Sequence, residues 1–355
     1  MIEKMKKRQT KDNLITYGLV VLFWLVVTIL SATGNMTSLM KGLLVPLCMY
    51  MILAVSLNLT VGILGELSLG HAGFMCVGAF SGAFFTKLTA DMIPNLQVRF
   101  VIALLIGAVV AAVFGFLIGI PVLRLKGDYL AIVTLAFGEI IKNVMNALYV
   151  GVDPSGIHFG LKKADLGLDK ELGTVIIEGA KGITGTPKAS SFTAGIILVF
   201  LTLFIVLNLM NSRSGRAIMS IRDNRIAAES VGIHITKYKL MAFTISASLA
   251  GVAGVLYSHN LSSLAATSNN FGYNMSIMIL VYVVLGGIGN IRGSLIAAAV
   301  LTLLPELLRG LNNYRMLIYA VVLIVMMLCN SAPKAIAFRA QLMEKIRPNK
   351  AKEAA

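Results

Sequence analysis

Long uncharged apolar runs, each bounded by charged or glycine-rich punctuation, recur along the whole of this sequence. A helix rises about 1.5 Å per residue, so roughly 20 apolar residues cross the hydrocarbon region of a bilayer. Ten segments meet or approach that length: 14–31, 42–64, 67–86, 100–123, 129–150, 192–212, 240–257, 275–291, 293–308 and 316–333. Of the 355 residues 57% are hydrophobic and 13% charged, with a mean hydropathy of +0.84; that charged share is about half the average for a soluble protein. The expected fold is an all-α polytopic transmembrane bundle of about ten segments. The eighth and ninth are short and separated only by Arg292, and 67–73 is rich in Gly and Ser. Broken or re-entrant helices belong at such places.

The net charge of +15 does not mark a nucleic-acid binder, because Lys and Arg gather at the ends of apolar runs rather than along one polar face. Their placement reports orientation instead. With the N-terminus inside, the inner segments carry 20 of the 31 basic residues and the outer segments 10, Lys142 lying within a span. Half of the outer set belongs to the segment 151–191, where it is balanced by five acidic residues. The expected organisation is a cytoplasmic tail 1–13, a transmembrane domain 14–333 and a basic cytoplasmic tail 334–355. This places a multi-pass chain in a membrane, with both termini in the cytoplasm. The basic opening also resembles that of a secretory signal, but no small-residue cleavage site precedes Lys41, so the first span is expected to stay.

Cys48, Cys76 and Cys329 each lie in an apolar run without paired spacing, and no His, Asp and Glu residues cluster at metal-ligand spacing. Neither a disulfide framework nor a metal site is expected. Glu139 and Lys142 stand one helical turn apart inside the fifth span. Each ion alone costs about 2.5–3.5 kcal/mol at a helix centre on insertion scales, so the two are expected to pair. The other reading has Glu139 meeting a solute ammonium group in the path. Gly62, Gly65, Gly70 and Gly73, with His71 among them, suit either a discontinuous helix lining a solute path or close helix packing. His71 itself is either a packed, hydrogen-bonded residue or a donor to solute. The string GGIGNI at 286–291 loosely echoes GILGEL at 62–67.

The segment 213–239 between the sixth and seventh spans holds a further pattern. Asp223 can cap a helix start, Asn224 to Val231 can make two turns, and Gly232 can end them in a left-handed conformation. Ile226, Ala227, Ser230 and Val231 would then share one small apolar face. Spacing alone does not separate such a helix from an ordinary basic loop.

Here the pattern Ala227-Ala228-Glu229 to Gly232 resembles the cytoplasmic coupling motif of bacterial ABC import permeases, in the form seen in the branched-chain amino-acid permease family. NLTVGILGELSLGHAGFMCVGAF (58–80), GDYLAIVTLAFGEII (127–141) and VLGGIGNIRGSLIAAAVL (284–301) agree with it, and the middle one of these resembles the LivM type of subunit rather than its LivH partner. The resemblance implies a translocation subunit for branched-chain or related amino acids. It implies a LivH-like second permease, two ATPase subunits that bind ATP and Mg, and an extracytoplasmic solute-binding protein. The coupling helix, Asp223, Ile226, Ala227, Ala228, Glu229, Val231 and Gly232, would dock on an ATPase. No G-x-x-x-x-G-K-[ST] phosphate loop occurs in the chain, so hydrolysis would fall to a partner and this chain would not be an enzyme. Similar permeases carry urea, short amides or nucleosides. A secondary transporter would need no coupling helix, and an intramembrane enzyme would need an acid–base or metal constellation, which Glu139, Lys142 and His71 do not form by spacing. GITGTP at 182–187 resembles the family's Gly-Ile-x-Gly-Ile-Pro element, with Thr186 replacing the usual Ile, and 158–178 is more charged than the family pattern.

Overall fold

A computed structural model describes residues 2–34, 36–125, 127–167, 173–308 and 314–331. The tail 334–355 and the Cys329 side chain fall outside the described residues. The chain is a helical bundle: α1 (Ile2–Ala32), α2 (Ser38–Asn58), α3 (His71–Leu88), α4 (Leu96–Val122), α5 (Asp128–Ala147), α6 (Phe192–Asn211), α7 (Arg213–Asp223), α8 (Arg225–Ser230), α9 (Ile235–Ser258), α10 (Ser268–Phe271), α11 (Tyr273–Gly286), α12 (Ile291–Leu307) and α13 (Arg315–Ser331). Helix starts follow the polar residues that precede them. Thr37, Asn95, Ser191, Ser212, Asn224 and Asn290 each accept a hydrogen bond from a free amide of the first turn.

Among the described residues, six helical stretches are long and apolar enough to cross a membrane: Asn13–Ala32, Ser38–Leu64, Leu96–Val122, Asp128–Ala147, Phe192–Asn211 and Ile235–Ser258. The other four expected spans correspond to shorter or less apolar helices, α3 of 18 residues, α11 of 14, and α12 and α13 of 17 each. At 14 residues α11 extends about 21 Å, well short of a hydrocarbon layer of about 30 Å.

Several boundaries differ from expectation. The first helix already begins at Ile2, so residues 2–13 continue it. Arg292 does not separate two spans; the turn lies at 287–290 and Arg292 sits in the first turn of α12, where its Nε donates to Thr16 Oγ1 at 2.7 Å. The fifth helix stops at Ala147, because Tyr149 and Val150 enter a strand rather than a further turn. The segment 151–191 is likewise not a plain loop on an all-α bundle. Strands β1 (Tyr149–Asp153), β2 (Gly156–Gly160) and β3 (Thr174–Glu178) form an antiparallel sheet in the order β2-β1-β3, and β4 (Ile183–Thr184) pairs with β5 (Ser263–Leu264). Five-residue runs rich in Val and Ile, too short for a helical face, as in Tyr149–Asp153 and Thr174–Glu178, suit strands of this length.

Because lipid tails are as apolar as leucine, helices associate here through close packing rather than escape from water. Small residues permit it. Gly78 of α3 lies against Gly251 of α9, so close that an added Cβ would come within 2.4 Å of the Gly251 Cα. Around this contact α3, α4 and α9 pack together, and α2 runs through the middle of the bundle with Leu47, Cys48, Ile52, Leu53 and Leu57 fully buried. Cys76 is also a buried free thiol.

Candidate functional site

Two places in the bundle interrupt a helix, and charged side chains gather at both. At the first, α2 runs into a π-helical stretch, Leu59–Leu64, and the chain then turns at Gly65, whose φ of 79° is left-handed. Residues 65–70 are non-helical before α3 begins at His71. Such a break leaves carbonyl groups without intrahelical donors. Arg222, the penultimate residue of α7, supplies one: its Nη1 donates to Gly62 O at 2.9 Å, while Nε and Nη2 donate to Asp223 Oδ1 at 3.1 and 2.9 Å. Lys239 of α9 forms an ion pair with Glu66 inside the break. The amides beyond it are met as well, Leu69 N by Thr134 Oγ1 at 3.0 Å and Ala72 N by Ser276 Oγ at 3.2 Å.

The echoing glycine strings meet at this place. Asn58 Oδ1 accepts from Gly289 N at 2.9 Å and its Nδ2 donates to Ser294 Oγ at 2.8 Å, which ties the α2–α3 break to the α11–α12 turn. A Cβ on Gly62 would fall 1.9 Å from Asn58 Oδ1 and 2.3 Å from Gly289 N, so only glycine fits. Gly70 and Gly73 serve a similar contact with α5, where added Cβ atoms would reach Thr134 O and the Gly138 Cα. His71 is buried, its Nε2 2.7 Å from Ser56 Oγ. Of the residues read as path or packing, Gly62, Gly70, His71 and Gly73 therefore lie within the protein, whereas Gly65 is exposed and Glu139 partly so.

The second interruption precedes α11. After α9 the chain runs through β5 and the short α10 and starts α11 at Tyr273, facing the middle of α5. Here the groups left free are amides. Glu139 Oε1 accepts from Tyr273 N at 2.7 Å, and its other oxygen forms an ion pair with Lys142, which also donates to Ser268 Oγ at 3.2 Å. The carboxylate thus caps a helix from a different part of the chain, as a side chain does at an ordinary N-terminus.

The α7–α8 element stands at the end of α6 opposite the sheet. Its cap is Asn224, whose Oδ1 accepts from Ala227 N at 3.1 Å, and not Asp223, which closes α7 and is occupied by Arg222. The asparagine wins because its extended backbone, at φ −155°, aims the short side chain back at the first turn. The helix spans Arg225–Ser230, shorter than the expected Asn224 to Val231, and Gly232 follows at φ 85°. Only Ala228 turns inward, onto Ile221 and Ile235. Ile226 and Val231 are 81% and 75% exposed, with Ala227, Glu229 and Ser230 also on the surface.

Arg222, Asn58, Glu66, Lys239 and the Tyr273 amide are not recognisable from the sequence as members of a site. Glu66 and Lys239 are visible as charges at span ends, but 173 positions separate them. No group of three or more His, Cys, Asp or Glu placed to hold a metal occurs among the described residues.

A family profile described as "Branched-chain amino acid transport system / permease component" matches residues 39–328. The chain is 36% identical over 288 residues to the high-affinity branched-chain amino acid transport system permease protein LivM of Salmonella typhimurium and, at the same identity and length, to that of Escherichia coli. Each alignment covers 79% of this chain and 66% of the relative, so the chain spans just under two thirds of their length. The ribose import permease protein RbsC of Escherichia coli is 26% identical over 292 residues, covering 79% of this chain and 81% of the relative. No solved structure matches the chain.

Proposed function

Because this chain belongs to the family of permease components of branched-chain amino acid transport systems, we propose that it is one of two permease subunits enclosing the path of an ABC importer. Its cargo is a branched-chain or related amino acid. A LivH-like permease supplies the other half of the path, two ATPase subunits bind ATP and Mg, and an extracytoplasmic protein delivers the solute. The termini and the α7–α8 element face the cytoplasm.

One observation carries this reading. A short helix and the residue that ends it present Ile226 and Val231 uncovered to water, while Arg222, two residues before the helix cap Asn224, holds the broken backbone at Gly62. An apolar pair so exposed on a basic segment is a surface for a partner, and the arginine makes the break move with it. When the ATPases close on ATP, the pull on α8 reaches the α2–α3 break through Arg222 and the α11–α12 turn through Asn58. Exposed Gly65 and partly exposed Glu139 then line the path on the side toward the second permease, where irregular backbone and a carboxylate have water to face.

Ala227→Trp tests this. The variant should insert and fold normally, lose ATP-driven uptake in reconstituted vesicles, and shed the ATPases during purification, because the bulky ring fills the space a cleft must occupy. Normal uptake with the ATPases still bound would reject the docking role. The likeness to a ribose importer supports a second reading in which the architecture stays and the cargo changes. Calorimetry of solutes on the purified binding protein separates the two.

A further inference from the structure

The sheet at the far end from α8 leaves an apolar groove whose place and lining identify what fills it. Val150, Phe159 and Ile177 are neighbours on one face of the β2-β1-β3 sheet, since Val150 is paired with Phe159 on one side and Ile177 on the other. Val150 and Ile177 are buried, but the edge strand β2 overhangs, and Phe159 is 68% exposed. Ile157, two residues back along the strand and so on the same face, is 44% exposed, and Leu161, just past the strand's end at Gly160, is 72% exposed. Beneath the overhang lies a groove of about 170 Å³ whose other wall is Phe84 of α3, Phe114 of α4 and Met145 of α5. Its one polar side chain, Ser81, donates its hydroxyl to Gly78 O of its own helix at 3.1 Å. The polar groups of the hairpin are on the other side of β2: His158 lies 3.1 Å from Asp153, which the amides of Ser155 and Gly156 also reach.

A segment lying wholly in water would bury this face or carry polar residues on it. The groove instead opens beside Phe80 and Phe84, inward of the end of α3 at Leu88, and continues the outer surface of α4, where Leu105, Val109, Val113 and Leu117 are exposed. That helix is 27 residues long, has no charge beyond Arg99 and is apolar enough to cross a membrane, so its exposed face suits hydrocarbon. We infer that an acyl chain of a lipid in the leaflet on the sheet side reaches into the groove, so that the Phe159 face of the β1–β2 hairpin lies against lipid while its other face, with Asp153 and His158, turns to water. The occupant is hydrocarbon because the side chains lining the groove are apolar apart from Ser81, whose hydroxyl is spent on its own helix. The inference rests on the membrane setting of the helices and not on the cargo or the ATPase reading.

The test uses the full transporter in phosphatidylcholine vesicles whose acyl chains carry bromine, a short-range quencher of indole. The chain has one tryptophan, Trp24; with Trp24→Phe as background, Phe159→Trp provides the reporter and Val109→Trp on α4 the lipid-facing reference. Phe159→Trp should lose most of its emission in brominated lipid, as the reference does, and keep it when iodide is added to the water. Adding the binding protein should leave the quenching unchanged. Emission that bromine does not reduce, or that iodide reduces instead, would overturn the inference. Quenching seen for the chain alone but absent in the complete complex would overturn it too, by assigning the groove to the second permease. Leu161→Trp, at a position already uncovered, repeats the measurement should the first variant fail to fold.

Discussion

The two helix interruptions are held by opposite charges, and the reason is elementary. At 59–66 a helix ends, so carbonyls are left over, and cations meet them: Arg222 at Gly62 O, with Lys239 on Glu66 alongside. Before Tyr273 a helix begins, so amides are left over, and a carboxylate meets them: Glu139. Each pairing follows the sign of the helix end it faces. The difference lies in what else the charges are tied to. Arg222 belongs to a surface helix pair and connects the first break to water-exposed structure, whereas Glu139 and Lys142 share one turn of α5 and fasten it to the start of α10 and α11 at Ser268 and Tyr273. One break is connected outward and the other is locked.

If that contrast is right, removing half of the locked pair should do the greatest harm. Glu139→Leu leaves Lys142 buried without its carboxylate and the α11 start without its cap, at a cost of about 3–5 kcal/mol. The double variant with Lys142→Met should retain more folded protein than either single change, read from yield and thermal unfolding in detergent. Additive losses would show two independent ions and dissolve the comparison.

At the connected break, Arg222→Met should cost less stability, about 1.5–3 kcal/mol for a charge-assisted hydrogen bond. Its effect on ATP-driven uptake should exceed that of Glu139→Gln, which keeps an oxygen for Tyr273 N. Arg222→Lys should recover little, because one ammonium cannot face Gly62 O and Asp223 together as the planar guanidinium does. Equal uptake in Arg222→Met and the parent would remove the outward connection.

Within the first break, where it meets the α11–α12 turn, Gly62→Ala should destabilise by about 1–3 kcal/mol through overpacking against Asn58 and Gly289. Gly42→Ala, with nothing within 4 Å of its added methyl, is the silent control. Similar melting temperatures for both would mean the turns do not meet.

The smallest effect is expected at Asp153, a counterpart of Glu139 in the hairpin. The Ser155 hydroxyl, followed by His158 and the Ser155 amide, holds its carboxyl down from the usual 3.8 to about 2. Because the folded value is the lower one, its contribution is complete above 3.8 and is lost as the pH falls through about 2. Amide exchange at Ser155 and Gly156 should therefore stay slow down to that pH in the parent and be fast throughout in Asp153→Ala. Identical profiles would show that the carboxylate does not organise the turn.

How much of this is legible in the sequence depends on range. The pair Glu139–Lys142 can be read because one turn separates its members, and the pair Glu66–Lys239 cannot, since nothing local relates them. The likeness of GILGEL to GGIGNI is visible as a string, yet that the two turns touch is a matter of packing. The sheet escapes notice because 151–191 is polar and short in pattern beside the apolar runs.

By itself the sequence determined that the chain lives in a bilayer as a bundle of helices, since apolar length and backbone satisfaction in hydrocarbon admit little else. Which helix faces what was decided only by tertiary structure. The stretches Ser38–Leu64 and Leu96–Val122 each have 27 residues and high hydropathy, but the most apolar part of the first is 94% buried inside the protein and that of the second 28%. Hydropathy cannot tell them apart, because a lipid tail and a neighbouring leucine are equally apolar surroundings. Packing can, through the fit of individual side chains and glycines against one another.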